Sequence, residues 1–506
     1  MTTLTADSPA STGTFDSLDP ATGAVLASHP IAGPEEVAAA VARARDAAAW
    51  WREQGEGGRR TLLRAWRAEV AGGIDELAEL VHRENGKPRA DAILEITLAV
   101  DHLAWAARHA RKVLGSRRVS AGLLAANQSA LLEYQPLGVV GVIGPWNYPV
   151  FTPMGSIAYA LAAGNGVVFK PREYTPGVGR WLEAAWQRAV PERPDVLQAV
   201  TGLGPTGAAL CRSGVDKVAF TGSATTGRKV MAACAENLVP VLMECGGKDA
   251  MVVADDADID SAADAAVWGG MSNAGQTCIG IERVYVAAPV YDQFLDAVRA
   301  KLDGVRAGSD DEASYGPITM PGQVDVIEDH LREAFDRGAT AVVGGPDAVH
   351  RPFVDPVVLT DVPEDARAVT DETFGPTLTV QKVRDAEEGV EKANATSYGL
   401  AGAIFSASKE RAMELAGRMR SGMTSINSVI AFASVPSLPF GGVGESGFGR
   451  IHGADGLREF TRPKAITSQR FALPVQLTSF SRPASAAPAL AKVLALLHGR
   501  SKPSKG

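Results

Sequence analysis

Five short stretches carry side chains that could do chemistry. In NAGQTCIG, residues 273–280, the thiol of Cys278 is set among small, uncharged neighbours, in a chain with only three other cysteines. In MECGGKDA, Glu244 stands between an apolar run and a double glycine, where a carboxylate can be tuned into a general base. Cys245 beside it is a competing thiol, although neighbouring side chains on an extended segment face opposite ways.

GPWNYP, residues 144–149, holds Asn147 in a stiff loop able to aim an amide at an oxyanion. Capping a helix or turn is the plain alternative. VVFKPREYTP sets Lys170 and Glu173 just past a predicted strand, at the edge where open α/β sheets bind ligands. The pair suits ribose hydroxyls or phosphate, and equally a solvated loop. FTGSATTG, residues 220–227, puts Gly222, Ser223 and free backbone N–H groups where a pyrophosphate could sit. Its spacing is not GxGxxG, and an ordinary strand-to-helix turn would use the same residues.

The elements that must position these stretches alternate. Residues 33–110 read as two or three helices after a Gly-Pro start. SALLEYQPLGVVGVIGP then reads as one strand and a second, buried one. Helices near 154–163, 180–190, 206–213 and from 225 are separated by the strands VVFKP, VLQAVTG and KVAFTG, and a second α/β unit begins near Met251. This pattern predicts parallel sheets with right-handed crossovers. Residues 476–506 form a tail with a short apolar helix ending in basic residues, read as docked or frayed, with a membrane-surface helix as the alternative.

Composition bounds the function. With 506 residues, 46% of them apolar, the chain can build several core layers and more than one domain. A net charge of −8 without a dense basic run gives a nucleic acid nothing to bind. Cys211, Cys234, Cys245 and Cys278, spaced by 23, 11 and 33, match neither a zinc site nor a disulfide framework, which fits a reducing cytoplasm. The start, MTTLTADSPASTGTF, is expected to be a mobile leader and not a secretion signal. No apolar run approaches the ~20 residues of a transmembrane helix.

Taken together, GPWNYP, VVFKP-x-E, FTGS, ECGGK, NAGQTC, DETFGP and PFGGVGESGFGR resemble the aldehyde dehydrogenase superfamily, from DPATG at Asp19–Gly23 to about Gln469. The resemblance implies a Rossmann-type parallel-sheet NAD-binding domain (1–117 and 136–245), an α/β catalytic domain (246–448) and a small oligomerisation segment (118–135 and 449–475), with 476–506 as the tail. It implies Cys278 as nucleophile, Asn147 and the Cys278 N–H as oxyanion donors, and Glu244 as the base that hydrolyses a thioester. Lys170 and Glu173 would hold the adenosine ribose, Gly222, Ser223 and the Trp146 region the pyrophosphate, and Glu372 with Phe374 the nicotinamide ribose. The thiol pKa is expected to be lowered. Homodimers or homotetramers are expected.

Glu173 favours NAD by repelling a 2′-phosphate, while Arg172 and Lys170 leave NADP possible. Cys245 and Gly280 depart from the usual residues at their positions. The loop Asn427–Gly442 contains no charged residue, and Phe432, Phe151 and Ile279 add apolar surface, so an apolar or aromatic aldehyde is expected. Succinate semialdehyde is the alternative, because NAGQTCIGIERVYV also resembles that branch. A catalytically inactive NAD-binding scaffold is a further alternative, disfavoured by the presence of Cys278, Glu244, Asn147 and Lys170.

Overall fold

A computed structural model describes residues 13–499, so the first twelve residues of the expected leader lie outside the described residues. The chain divides into two compact units, Met1–Val113 with Pro136–Arg462, and Leu114–Gln135 with Pro463–Gly506.

The larger unit opens with four helices where two or three were expected: Pro34–Glu53, Gly55–Gly72, Ile74–Asn85 and Arg89–Leu114. Glycines divide them. Gly55 and Gly86 adopt φ values of +61° and +87°, a region other residues enter only with strain. The first helix is capped by Glu36, which accepts the Gly33 N–H at 2.6 Å. Its Trp51 meets Trp186 edge-on at 5.5 Å, and Trp66 of the second helix meets the same ring at 5.5 Å. These contacts lock the helices onto Pro176–Ala189, each adding ~0.5–1.5 kcal/mol beyond simple burial.

Those helices cover a six-stranded sheet ordered Gly447–Phe448, Val241–Cys245, Lys217–Gly222, Val139–Ile143, Gly166–Lys170 and Leu197–Ala199. The last five strands run parallel and the short first one is antiparallel to its neighbour. Val139–Ile143 and Gly166–Lys170 are buried at every position, which explains their unbroken apolar sequence. Chain order reverses between Val139–Ile143 and Lys217–Gly222, so a ligand crevice is expected beyond the carboxyl ends of these two strands. GPWNYP and GSATTG are the loops that leave those ends.

The second sheet has seven strands, ordered Thr340–Val343, Val357–Thr360, Thr377–Val383, Ile281–Ala287, Asp249–Val253, Gly402–Phe405 and Ser425–Ile426. All pairings are parallel except that of Thr340–Val343. Its core packs Met251, Val284 and Val380 against Ala262, Phe294 and Ile327.

The smaller unit holds a sheet ordered Thr461–Gln469, Gln128–Pro136 and Arg117–Val119, and the helix Ala486–His498. That helix is formed, and its large apolar side chains are exposed.

Candidate active site

Cys278 sits between the helix Ile259–Met271 and the strand Ile281–Ala287. The chain reaches it through Asn273, Ala274 and Gly275, with φ of 53°, 57° and 69°. Two successive non-glycine residues in the left-handed region cost roughly 1–3 kcal/mol each and persist only where packing enforces them. Packing does so here: a Cβ on Gly275 would collide with the Gly375 carbonyl, and one on Gly247 would stand 2.8 Å from the Cys278 carbonyl.

The Asn147 loop is tied to the same run. The Asn147 amide donates to the Gln276 carbonyl at 2.9 Å. Asn273 Nδ2 donates to the Asn147 carbonyl at 3.1 Å, and the Tyr148 and Thr277 hydroxyls pair at 3.0 Å. Lys87 Nζ donates to the Asn147 carbonyl at 2.8 Å. Sequence reasoning passed over Lys87, whose signal was NGKP at a helix end.

Glu244 is the penultimate residue of the strand Val241–Cys245, buried, with neither carboxylate oxygen hydrogen-bonded. A Cβ on Gly441 would stand 2.8 Å from its Oε1, so the glycine leaves the carboxylate its space. Burial raises its pKa well above the ordinary carboxylate value, against the pull of Arg450. Cys245 faces the other way, into the core under the helix Ala224–Ala235, where burial pushes its thiol up to about 12.

The expected lowering of the Cys278 pKa is corrected by the structure. Burial raises the thiol, and carboxylates at Glu372, Asp249 and Glu244 add to the effect. At rest the group is therefore a thiol.

The residues expected to hold a dinucleotide gather at the sheet's switch point. Buried Lys170 has one hydrogen bond, to the Pro171 carbonyl at 3.1 Å, and Glu173 lies 3.8 Å from its Nζ. Burial lowers the ammonium to about 8, with Glu173 opposing. Glu173 also faces Arg172 at 3.2 Å. Ser223 caps the helix Ala224–Ala235 by accepting the Thr226 N–H at 3.3 Å, and Gly222 ends the preceding strand. Trp146 and Phe374 meet edge-on at 5.7 Å. Glu372 accepts the Gly247 N–H at 3.0 Å, and burial pushes it up to about 8. The loop bearing Phe374 is pinned by Glu282, which accepts the Thr373 and Phe374 N–H groups at 2.9 and 3.0 Å and pairs with buried Lys248. A buried ammonium with donors to spare beside a half-buried carboxylate fits a ribose diol, so these residues suit a nicotinamide dinucleotide.

A cavity opens on Cys278, walled by Leu94, Leu98, Phe151, Trp268, Ile279, Ile430, Ala433 and Phe440, with Asp91 and Lys87 among the polar groups. Phe151 and Ile279 line it as expected. Phe432 does not: its ring packs behind Phe440, at 6.3 Å, and its neighbours Ile430 and Ala433 form the wall. Ile430 has φ of 60°, and no residue periodicity forecasts side-chain direction through such a turn.

A cavity thiol next to a strained turn, an orphaned buried carboxylate and candidate dinucleotide holders at a sheet switch point together make the layout of a dehydrogenase. The model of the aldehyde dehydrogenase family matches residues 7–466, and the chain belongs to that family. It is 36% identical over 475 residues to the 4,4′-diapolycopene aldehyde oxidase of a Methylomonas species, covering 93% of this chain and 89% of that one. A Mycolicibacterium smegmatis protein provisionally named succinate-semialdehyde dehydrogenase (NADP+) is 35% identical, with 89% and 87% covered. Among solved structures, lactaldehyde dehydrogenase from Escherichia coli superposes with a TM-score of 0.86 at 30% identity, covering 90% and 96%. An NAD-dependent aldehyde dehydrogenase from Sinorhizobium meliloti gives 0.87 at 31%, covering 92% and 93%. The protein is an NAD(P)-dependent aldehyde dehydrogenase.

Proposed function

We propose that this enzyme oxidises apolar or aromatic aldehydes through a thioester on Cys278, with NAD as the preferred acceptor. The observation that carries the assignment is the pairing of a half-buried thiol on the cavity, Cys278, with a buried carboxylate, Glu244, whose two oxygens have no partner. The raised thiol gives up its proton to solvent as it attacks the carbonyl carbon. The oxyanion that forms is met by the second N–H of the Asn147 amide and by the Cys278 backbone N–H. These donors are held before the charge develops, so they favour the transition state over the substrate.

A bound nicotinamide supplies the hydride acceptor. Lys170, Glu173, Ser223 and Trp146 orient the dinucleotide, while Glu372 and Phe374 fix the end nearest Cys278. Glu244 then takes a proton from the water that hydrolyses the thioester, releasing the acid and the thiol.

For substrate class, among the described residues the cavity wall includes Asp91 and no arginine, and the Lys87 ammonium is already committed to Glu95 and the Asn147 carbonyl. A distal carboxylate would find no free cation there, which disfavours succinate semialdehyde. Residues 118–135 and 449–475 are our candidates for pairing subunits, and the four free thiols suit a reducing compartment such as the cytoplasm. The test is NADH formation across aliphatic, aromatic and carboxylate-bearing aldehydes, ranked by kcat/KM. Apolar or aromatic substrates should lead; a lead of tenfold or more by succinate semialdehyde would overturn the substrate reading.

A further inference from the structure

The acidic residues of the chain stop at Glu459: from Phe460 to Gly506 the sequence holds eight Lys and Arg and no Asp or Glu, in a chain whose net charge is −8. Within that stretch Ala486–His498 is helical. Leu490, Val493, Leu494 and Leu497 recur at i, i+3, i+4 and i+7 and share one face, with Lys492 and exposed Leu496 on the opposite side. All four are exposed, Ala486 is the one buried residue of the helix, and Phe471 and Phe480 before it are exposed as well. A contiguous apolar surface of this kind marks a contact site.

Thirteen residues extend only about 20 Å, short of the ~30 Å hydrocarbon core of a bilayer. No described helix is long and apolar enough to cross a membrane. An amphipathic helix of this length can instead lie in the interfacial plane. We propose that Ala486–His498 seats the enzyme on an anionic lipid surface, its Leu-Val face entering the acyl boundary and the acid-free basic sequence around it drawn to the headgroups. The charge selects the occupant. Pairing the helix with a second copy would bring like charges together, whereas anionic headgroups complement it and add attraction for each Lys or Arg near the surface. Apolar aldehydes partition into the same surface, although the anchoring does not rest on that substrate reading.

The test sediments the full-length enzyme with vesicles of phosphatidylcholine alone or with phosphatidylserine added. Binding to the anionic vesicles should exceed that to neutral ones by about tenfold or more and fall steeply at high salt. The double variant Leu490→Asp/Leu497→Asp should lose binding while its turnover of a short, water-soluble aldehyde stays at the wild-type level. In a Leu494→Trp variant, indole emission should shift to the blue on adding anionic vesicles. Wild-type protein that remains in the supernatant with both vesicle types would overturn the proposal. So would a double variant that sediments as well as wild type, or one that changes subunit number in light scattering without changing vesicle binding.

Discussion

Lys87 and Glu95 form a buried ion pair, with 2.6 Å between Nζ and Oε2, and together they hold the backbone at Asn147 and just after it. The ammonium reaches the Asn147 carbonyl, while the second Glu95 oxygen accepts the Val150 and Phe151 N–H groups at 2.8 and 3.0 Å. The proposed oxyanion donor, Asn147, is therefore positioned by an ion pair outside its own side chain.

Lys87→Met should leave Glu95 buried and unpaired, at a cost of ~3–5 kcal/mol in unfolding free energy. Because Asn147 also loses an anchor, kcat should fall about 10–100-fold in the protein that remains folded. Denaturant unfolding and steady-state kinetics on the same preparation check both. A folded Lys87→Met enzyme with wild-type kcat would refute the positioning role.

Gly246 leaves room for Glu372: a Cβ there would collide with both carboxylate oxygens. Gly246→Ala should therefore displace Glu372 and raise the KM for NAD by about tenfold or more, with thiol alkylation at Cys278 little changed. An unaltered KM for NAD would separate Glu372 from cofactor binding.

Burial raises Glu372 from 4.5 to about 8. Below pH 4.5 the group is neutral in both folded and unfolded chains. Between 4.5 and about 8 only the unfolded chain ionises it, so stability falls as pH rises towards the folded value. Glu372→Gln lacks this slope, and its stability relative to wild type should improve steadily from pH 5 to pH 8 in denaturant titrations. Parallel stability curves would contradict the raised value. Glu244 is raised in the same direction, so the rising limb of kcat against pH should lie above the ordinary carboxylate range and vanish in Glu244→Gln.

Asp91 faces the cavity near Lys87, and burial raises its pKa. Asp91→Arg should shift the ratio of kcat/KM for succinate semialdehyde over an apolar aldehyde upward by about tenfold or more. An unchanged ratio would mean that the cavity wall does not select on charge.

Much of this layout is legible in sequence because strand ends are legible. The apolar runs Val167–Phe169 and Val218–Phe220 announce buried parallel strands, and ligand groups in such sheets cluster at the carboxyl ends. Other features depend on contacts that periodicity does not encode. Glu95 lies on a helix among ordinary acidic residues, and only the fold turns it towards Lys87. Ile430 replaces Phe432 in the cavity wall because the loop twists through positive φ. The sign of the Cys278 shift escapes the sequence because a nucleophile's need for a thiolate says nothing of its surroundings, which half-bury the thiol beside Glu372, Asp249 and Glu244.

The division of labour between Cys278 and Glu244 is the central claim, and Glu244→Gln tests it most directly. Mixed rapidly with saturating NAD and a short apolar aldehyde, this variant should give a burst of NADH stoichiometric with subunits and then near arrest. Mass spectrometry of the arrested protein should find the acyl group on the peptide that contains Cys278. A variant with no burst, or with its acyl group on Cys245, would contradict the account.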